Sequence, residues 1–597
     1  MKTKIVGLLF ILGILTVVPA TAQSGGPWLL VESDNFTFFS NNSRATTQTV
    51  AYNLEEMRRV FAAMWSQTSV DSSVPTRIYL FRDEESFVPF RLRGVETAGY
   101  VVPHEHGYYA GTLVDAERPA RYIYKEYILQ LLHDNYVGLP LWLRHGLAQY
   151  YGTFEVEGQD ALIGKVSLEY RALLTNYLGP NANFALDQVL TADEMPESPQ
   201  TFFALSWAMT HYLMWRSEDL REKLRTYVRE VTNGTPANEA LRTIFAFDYK
   251  ALEADLKEYL RRTEYNYQRV TFSPGAHPLR VRELTAYETN HHLGDLVIHA
   301  IPKRAATAGV HLLQRALEIA PDHAPSWAAL GYASELQDND PVALTQYAKA
   351  VELDPDDYLS QYLYGESLLR TLGGQRPTTG EGEEQLAKAV AALEKSVQLR
   401  PEMAQAWARL GFAFVLSPEA SPRAVEVLEK ALAQLPTRAD VAMNLLLAYA
   451  RAGDREGANA MIRRMERLKV DPASLGRAQE VRLQMDYHDA QRYYRQGNYD
   501  DAIALFTRIQ AESQNPALKQ AVDAALEDIA PVVDFKRFSE LYNEAVVLLK
   551  TNDFEKTDAV LQELEGLAKA GMQEKAIATL REIFDRKKAS RRPHGLR

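Results

Sequence analysis

The chain has 597 residues, too many for a single hydrophobic core, so two or more domains are expected. Lys and Arg number 66 against 78 Asp and Glu, a mild acidic excess spread along the chain that excludes a general nucleic-acid or anionic-membrane binder. There is no cysteine, which excludes disulfide bracing and thiolate metal sites.

The N-terminus reads as a sorting signal. Lys2 and Lys4 precede the apolar run Ile5 to Val18, and Ala20-Thr21-Ala22 is an A-x-A cleavage site, so the mature chain is expected to begin at Gln23. The run is shorter than the roughly 20 residues a permanent span needs. No Cys stands at the cleavage site to carry a lipid anchor, and no later segment is apolar enough to cross a bilayer. The expectation is an exported, periplasmic or extracellular protein with residues 1–22 removed.

Residues 27–268 are expected to form one α+β domain. Trp28–Ser40 alternates as a strand with a turn at Asp34-Asn35, and Ala45–Trp65 has helical spacing through Val50, Leu54, Met57, Val60, Phe61 and Met64. Thr76–Phe81 is a second strand, and Ala98–Tyr109 reads as strand and loop around Pro103. From Tyr122 onward the pattern is helical. Residues 269–284, with two prolines and a glycine, break the periodicity and are expected to be a linker.

Residues 285–580 carry a 34-residue tetratricopeptide (TPR) period, which places an all-α superhelical solenoid after the first domain. One unit fits throughout: Trp327, Leu330, Gly331, Ala343, Tyr347, Ala350 and Pro355. The next starts in register at Gly365 and, after about a dozen extra residues, ends through Ala389, Leu393, Ser396 and Pro401. A third has Trp407, Leu410, Gly411, Ala424, Leu428, Ala431 and Pro436; a partial unit ending at Ala316 and Pro321 precedes these, and weaker ones follow through Phe506 and Leu561. Small residues let the paired helices approach, large ones fill the space between units, and proline ends the second helix. Groove positions give Tyr332 and Glu335, Tyr362 and Glu366, and Phe412, a mixture of aromatics and acids pointing to an apolar or basic ligand segment. Residues 581–597 are expected to be a frayed basic tail.

The candidate chemistry lies in 124–151, YKEYILQLLHDNYVGLPLWLRHGLAQYY. A zinc peptidase of the gluzincin type places two histidines at i and i+4 on one helix with a glutamate beside the first, and a third ligand on a second helix. Here those positions hold Lys125, Glu126, Leu129 and His145, so only the base-like glutamate remains. Lysine must lose a proton before it can bind zinc, and leucine offers no ligand atom. His145 with Glu126, His133 or the His104-Glu105-His106 cluster is the one way to rebuild a metal site. Otherwise the Lys125 ammonium is expected in the cation's place, paired with Glu126.

The segments WLLVESDNFTFFS, Glu55-Glu56-Met57-Arg58, TRIYLF, Ala98-Gly99-Tyr100, PLWLRHGLAQYY, FFALSWAMTHYL and IFAFDYKALEADLKEYL follow one another in order. Together they resemble the peptidase-MA-like domain of unknown function found in exported bacterial proteins, often joined to tetratricopeptide repeats. The resemblance covers most of 27–262 and implies a peptidase fold. It does not imply activity, since Glu126 is the one family active-site residue that carries over.

Ser206 and His211 lack a G-x-S-x-G elbow and read as core, while His104 and His106 read as outward surface positions. No Walker loop, dinucleotide fingerprint or calcium loop is present. The leading expectation is a non-catalytic interaction scaffold with no cofactor, binding a protein or peptide through the repeats. The alternative is a divergent zinc metallopeptidase rebuilt around His145. A third makes the first domain a structural cap.

Overall fold

The computed structural model describes residues 27–64, 72, 74–92, 99–114, 121–136, 138–177, 182–197, 199–273, 275–300, 306–417, 421–568 and 571–590. The expected signal peptide, Ala98 and the last residues of the basic tail lie outside them. The chain forms two compact units, 1–452 with 463–470, and 453–462 with 471–597.

The first unit is built on a six-stranded mixed sheet. Its strands are β1 (Leu29–Glu32), β2 (Phe36–Ser40), β3 (Thr76–Phe81), β4 (Gly99–His104), β5 (Gly107–Leu113) and, after a small second sheet, β9 (Arg280–Glu283). Their order is β4-β5-β3-β2-β1-β9. Strands β2, β3 and β5 run parallel, with helix α1 (Arg44–Met64) crossing from β2 to β3, and the outer pairs are antiparallel. Strands β6 (Glu155–Glu157), β7 (Asp160–Ile163) and β8 (Gln268–Thr271) make the second, antiparallel sheet.

The expected linker 269–284 therefore carries strand at both ends. Strand β8 ends in it, and β9 pairs Leu29 with Glu283 through Glu32 with Arg280. Between them Glu56, fully buried on α1, accepts hydrogen bonds from the Gly275 N–H (2.6 Å) and His277 Nε2 (2.8 Å). Proline and glycine broke the sequence period here, but side-chain anchoring replaces it.

Alternation along β3 assigns both sheet faces. Ile78 and Leu80 turn towards α1 and helices α2 (Arg121–Asn135), α3 (Leu141–Tyr151) and α4 (Pro199–Trp215), in a core with Val31, Phe38, Leu54, Trp142 and Trp207. Tyr79 and Phe81 turn the other way, with Trp28, Phe39 and Tyr109. That face is covered by α5 (Ala286–Ala300) through Leu293, Leu296 and Val297, and by Leu312 of α6 (Ala306–Ile319). The first helix pair of the array is thus the second layer of the sheet's core.

Helix pairs follow: α7 (Ala324–Glu335) with α8 (Asp340–Leu353), α9 (Tyr358–Thr371) with α10 (Gly380–Leu399), α11 (Ala404–Leu416) with α12 (Ser421–Gln434), and then α13 (Ala439–Ala452). The repeat glycines sit where the sequence period requires closeness. A Cβ on Gly331 would stand 2.6 Å from Tyr347, on Gly365 2.7 Å from Leu393, and on Gly411 2.4 Å from Leu428. Each residue struck is the large position of the same repeat's second helix, so the period and the packing are one fact.

The second unit is helical: α14 (Pro472–Arg495), α15 (Tyr499–Glu512), α16 (Pro516–Thr551), α17 (Phe554–Leu567) and α18 (Met572–Ser590). Ala502 and Phe506 are buried in it as the repeat pattern requires. Helix α16 runs 36 residues with Pro531 inside it. The expected frayed tail starts as helix instead, because Leu580 and Phe584 of α18 are buried and hold it to Ser590. Among the described residues no helix is long and apolar enough to cross a membrane.

Candidate functional site

Helices α2 and α3 bring the degenerate motif together. A Cβ on Gly152, at the end of α3, would lie 3.0 Å from Lys125 Cα, so the helices nearly touch there. Gly146 is needed for the same reason on the other side, since a Cβ would stand 2.0 Å from Thr210 Oγ1 and 2.5 Å from the Ser206 carbonyl of α4. The G-L-A phrase that resembles a peptidase helix is thus also required by packing.

Lys125 Nζ stands 2.8 Å from Glu126 Oε1, and 5.9 Å from the centre of the Phe203 ring. Burial lowers the ammonium's pKa, but the Glu126 carboxylate outweighs it and the net shift is upward, so Lys125 stays charged. His145 packs on Phe203, ring centres 4.8 Å apart. Burial first, then the charges of Arg144 and Lys125, push its imidazole down to about 4. Leu129 packs against the apolar core. His133 Nδ1 accepts from Arg144 Nη1 at 2.9 Å.

These residues do not fit a metal. A catalytic zinc takes three protein ligands, whereas His145 meets two cations. Among the described residues no group of three or more His, Asp or Glu could hold a metal ion.

Ser206 and His211 form no nucleophile–base pair. His211 Nε2–H donates to the Gly164 carbonyl (3.0 Å), so Nδ1 accepts from Tyr259 Oη (2.8 Å). Both nitrogens are used, one on the loop at Gly164 and the other on the helix that carries Tyr259.

A second site lies where the β4–β5 hairpin meets the repeats. The hairpin tip, Glu105-His106, reaches the face of the array that carries Tyr332 and Glu366. Glu105 pairs with Arg409 of α11, and with Arg438 at 3.0 Å. Arg409 also holds Glu366 (2.9 Å), while Glu335 is held by Arg370 (2.6 Å). Tyr362 is buried behind Glu366, and Phe412 is half-buried. The segment on this face is acidic at its tip, in contrast to the apolar or basic ligand expected from the groove's own acids.

His106 is also not an outward surface residue. It is buried, with Nε2 2.7 Å from His299 Nε2. His299 Nδ1–H donates to the Asp295 carbonyl oxygen (2.7 Å) and faces its carboxylate (3.1 Å), and a single proton lies between its Nε2 and that of His106. The ring of His299 is stacked between Tyr109 (4.0 Å) and Tyr332 (4.3 Å). His104 Nε2–H donates to the His299 carbonyl (2.8 Å), and Tyr332 Oη donates to His104 Nδ1 (3.2 Å). Burial, then His299, drives His104 down to about 4 and His106 well below the usual imidazole range. Asp295 is held well below the carboxylate range: burial opposes this, but His299 and Arg77 outweigh it.

The residues His291, His292, Asp295 and His299 were not singled out from the sequence. Their signal was present, as four titratable side chains within 291–299, where the other residues are Leu, Gly, Val and Ile.

No protein-family model matches the chain, and no curated protein matches it. Solved structures do. The chain is similar to the type IV pilus biogenesis factor PilW, at 18% identity over 40% of this chain and 99% of that one, TM-score 0.27. PilF of Pseudomonas aeruginosa gives 18% over 40% and 97%, TM-score 0.28. A thermophilic TPR protein of Thermus thermophilus gives 19% over 33% and 100%, TM-score 0.26. The repeat architecture stands on the glycine contacts and helix pairs above, not on these scores.

Proposed function

We propose that the protein is an exported, non-catalytic scaffold that takes a protein or peptide partner on its helical repeats, joined to a zinc-peptidase-like domain that has lost its metal ligands. The observation that carries this reading is the Lys125 ammonium, paired with Glu126 beside His145, at the point where a zinc peptidase needs neutral imidazole and carboxylate. Stacked helix pairs, by contrast, offer a long surface suited to an extended segment or a helix. A partner for the face around Tyr332 and Glu366 must compete with Glu105 for Arg409 and Arg438, so its contacting segment carries a carboxylate.

Two measurements test this on the full mature chain. After incubation with excess Zn²⁺ and desalting, elemental analysis is expected to find under about a tenth of an equivalent, against the single tightly held ion of a catalytic site; near one equivalent, lost in His145→Ala, restores the metallopeptidase. A photo-crosslinking amino acid at position 412 is expected to join a second protein in the exporting host. Crosslinks confined to the chain itself count against the scaffold.

A further inference from the structure

Beside the His106–His299 contact the sheet, α5 and the starts of α7 and α9 enclose a cleft of about 400 Å³, within the size range of small-molecule sites. Its wall includes Arg77 of β3, on the face that carries Tyr79 and Phe81. An apolar β-branched residue is the ordinary occupant of such a central position. The guanidinium lies against Gly107, where a Cβ would stand 2.5 Å from Nη1, so the glycine makes room for it. The Tyr109 ring covers it, 5.2 Å from Cζ.

Arg77 makes no ion pair with any described residue, and its Nη1 is enclosed with no hydrogen-bond partner. His292, on the same cleft, leaves an enclosed Nδ1 without a partner as well. Asp295 does not meet Arg77 directly, because its carboxylate faces His299 Nδ1 at 3.1 Å. Open donors on an enclosed cation are costly when nothing accepts from them, and a carboxylate or phosphate oxygen is their strongest acceptor. His291 and His292 are both driven below the usual imidazole range by burial, so they present nitrogens without added charge.

We propose that this cleft binds a small molecule bearing a carboxylate or phosphate group, whose oxygens accept from Arg77 and His292. This is independent of partner binding by the repeats. Aromatic walls at Tyr109 and Tyr332 would flank the remainder of the molecule.

The test is calorimetric titration of the full mature chain, in a chloride buffer, with inorganic phosphate and separately with succinate. One of the two is expected to saturate a single site and raise the melting temperature, and the arm that responds names the group. Arg77→Gln is expected to weaken that binding by about tenfold or more, as for loss of a charge-assisted fork, while leaving the ligand-free melting temperature unchanged or higher. An arginine with a purely structural role would instead lower it. If Arg77→Gln does not fold, Arg77→Lys keeps the charge, loses the planar fork, and is expected to bind more weakly. Absence of saturable binding of both anions to the wild type overturns the proposal. So does equal binding by the variant, which would mean an adventitious ion only.

Discussion

Glu105 and Arg438 lie 333 residues apart in sequence and 3.0 Å apart in space. Arg409 meets the same carboxylate. The tip of a two-stranded hairpin is thereby tied to α11 and to the turn that leads into α13. Because Glu105 is partly exposed, solvent weakens each pair, and Glu105→Ala should cost about 1–2 kcal/mol. Glu105→Arg, which sets a third cation beside two, should cost more. The urea midpoint measures this, and hydrogen exchange should show residues 99–113 losing protection first. Unchanged exchange there would mean that the hairpin is held by its histidines alone.

Gly146 should not tolerate a methyl group. The Ser206 carbonyl, 2.5 Å from the added Cβ, is helical backbone and cannot rotate away. Gly146→Ala should destabilise by about 1–3 kcal/mol through overpacking, despite alanine's better helix propensity. Gly476, inside α14 with nothing within 4 Å of its Cβ site, is the control. Gly476→Ala should gain up to about 1 kcal/mol. Both changes are read as shifts of the denaturant midpoint.

Lys125 acts on His145 through its charge. Lys125→Met should lower the melting temperature modestly, since Glu126 loses its partner. It should also raise the His145 pKa from about 4, because one of the two cations that depress it is gone. Burial and Arg144 remain, so the value should stay below the ordinary imidazole value. Histidine-labelled NMR titration follows this. No change in either quantity would show that Lys125 is not what occupies the centre.

Installing two histidines tests the proposed zinc-peptidase ancestry of the helix pair. In Lys125→His/Leu129→His, two histidines at i and i+4 beside Glu126 would face His145 across α2 and α3. That variant should bind about one equivalent of zinc, as three-ligand sites do, and lose it on His145→Ala. Metal content by elemental analysis decides it. A variant that folds but stays metal-free would show that the resemblance lies in the sequence phrases and not in the helix geometry.

Stability should fall on mild acidification. Burial holds His104, His145 and His211 down to about 4 and His291 to about 3. Unfolded histidine titrates near about 6.5. Between those values the unfolded chain takes up protons that the folded one refuses, so this stability is fully present above the window and is lost as pH falls through it. Glu335 works in the opposite sense. Burial raises it to about 7, so the folded state holds a proton that the unfolded one releases, and its contribution shrinks as pH rises from the ordinary carboxylate value. Burial raises Asp134 and Glu366 in the same sense as Glu335, but the depressed imidazoles, His106 and His292 among them, outnumber these carboxyls. The urea midpoint should be lower at pH 5.5 than at 7.5; an equal or higher one contradicts the neutral histidine cluster.

Local periodicity made the repeats legible. Gly331, Gly365 and Gly411 each declared a close helix crossing, and each meets the large residue of its own unit. The same period was silent about β9, because Arg280–Glu283 pairs with Leu29–Glu32 and that register lies in no window of adjacent residues. Burial of His106 was illegible for a related reason. At the tip of its own hairpin it looks outward, and only α5 and α7, about 190 and 225 residues later, turn that outside into an interior. Around His145 the side chains Lys125, Glu126 and Leu129 were plain in the sequence. What faces His145 was not, since Lys125 and Phe203 come from different helices.

The pairing of β1 with β9 has a consequence for how the chain can be made and cut. The sheet's edge stays open until residue 283 has been synthesised. The helix that covers its second face comes later still. A gene split at the compositional break near residue 268 would leave one product with an uncovered strand edge and the other with a bare apolar helix pair. Recombination that exchanged the repeat arrays of two such proteins would have to carry β9, α5 and α6 along with the first domain, which sets the natural crossover point near residue 320 rather than at the proline-rich stretch.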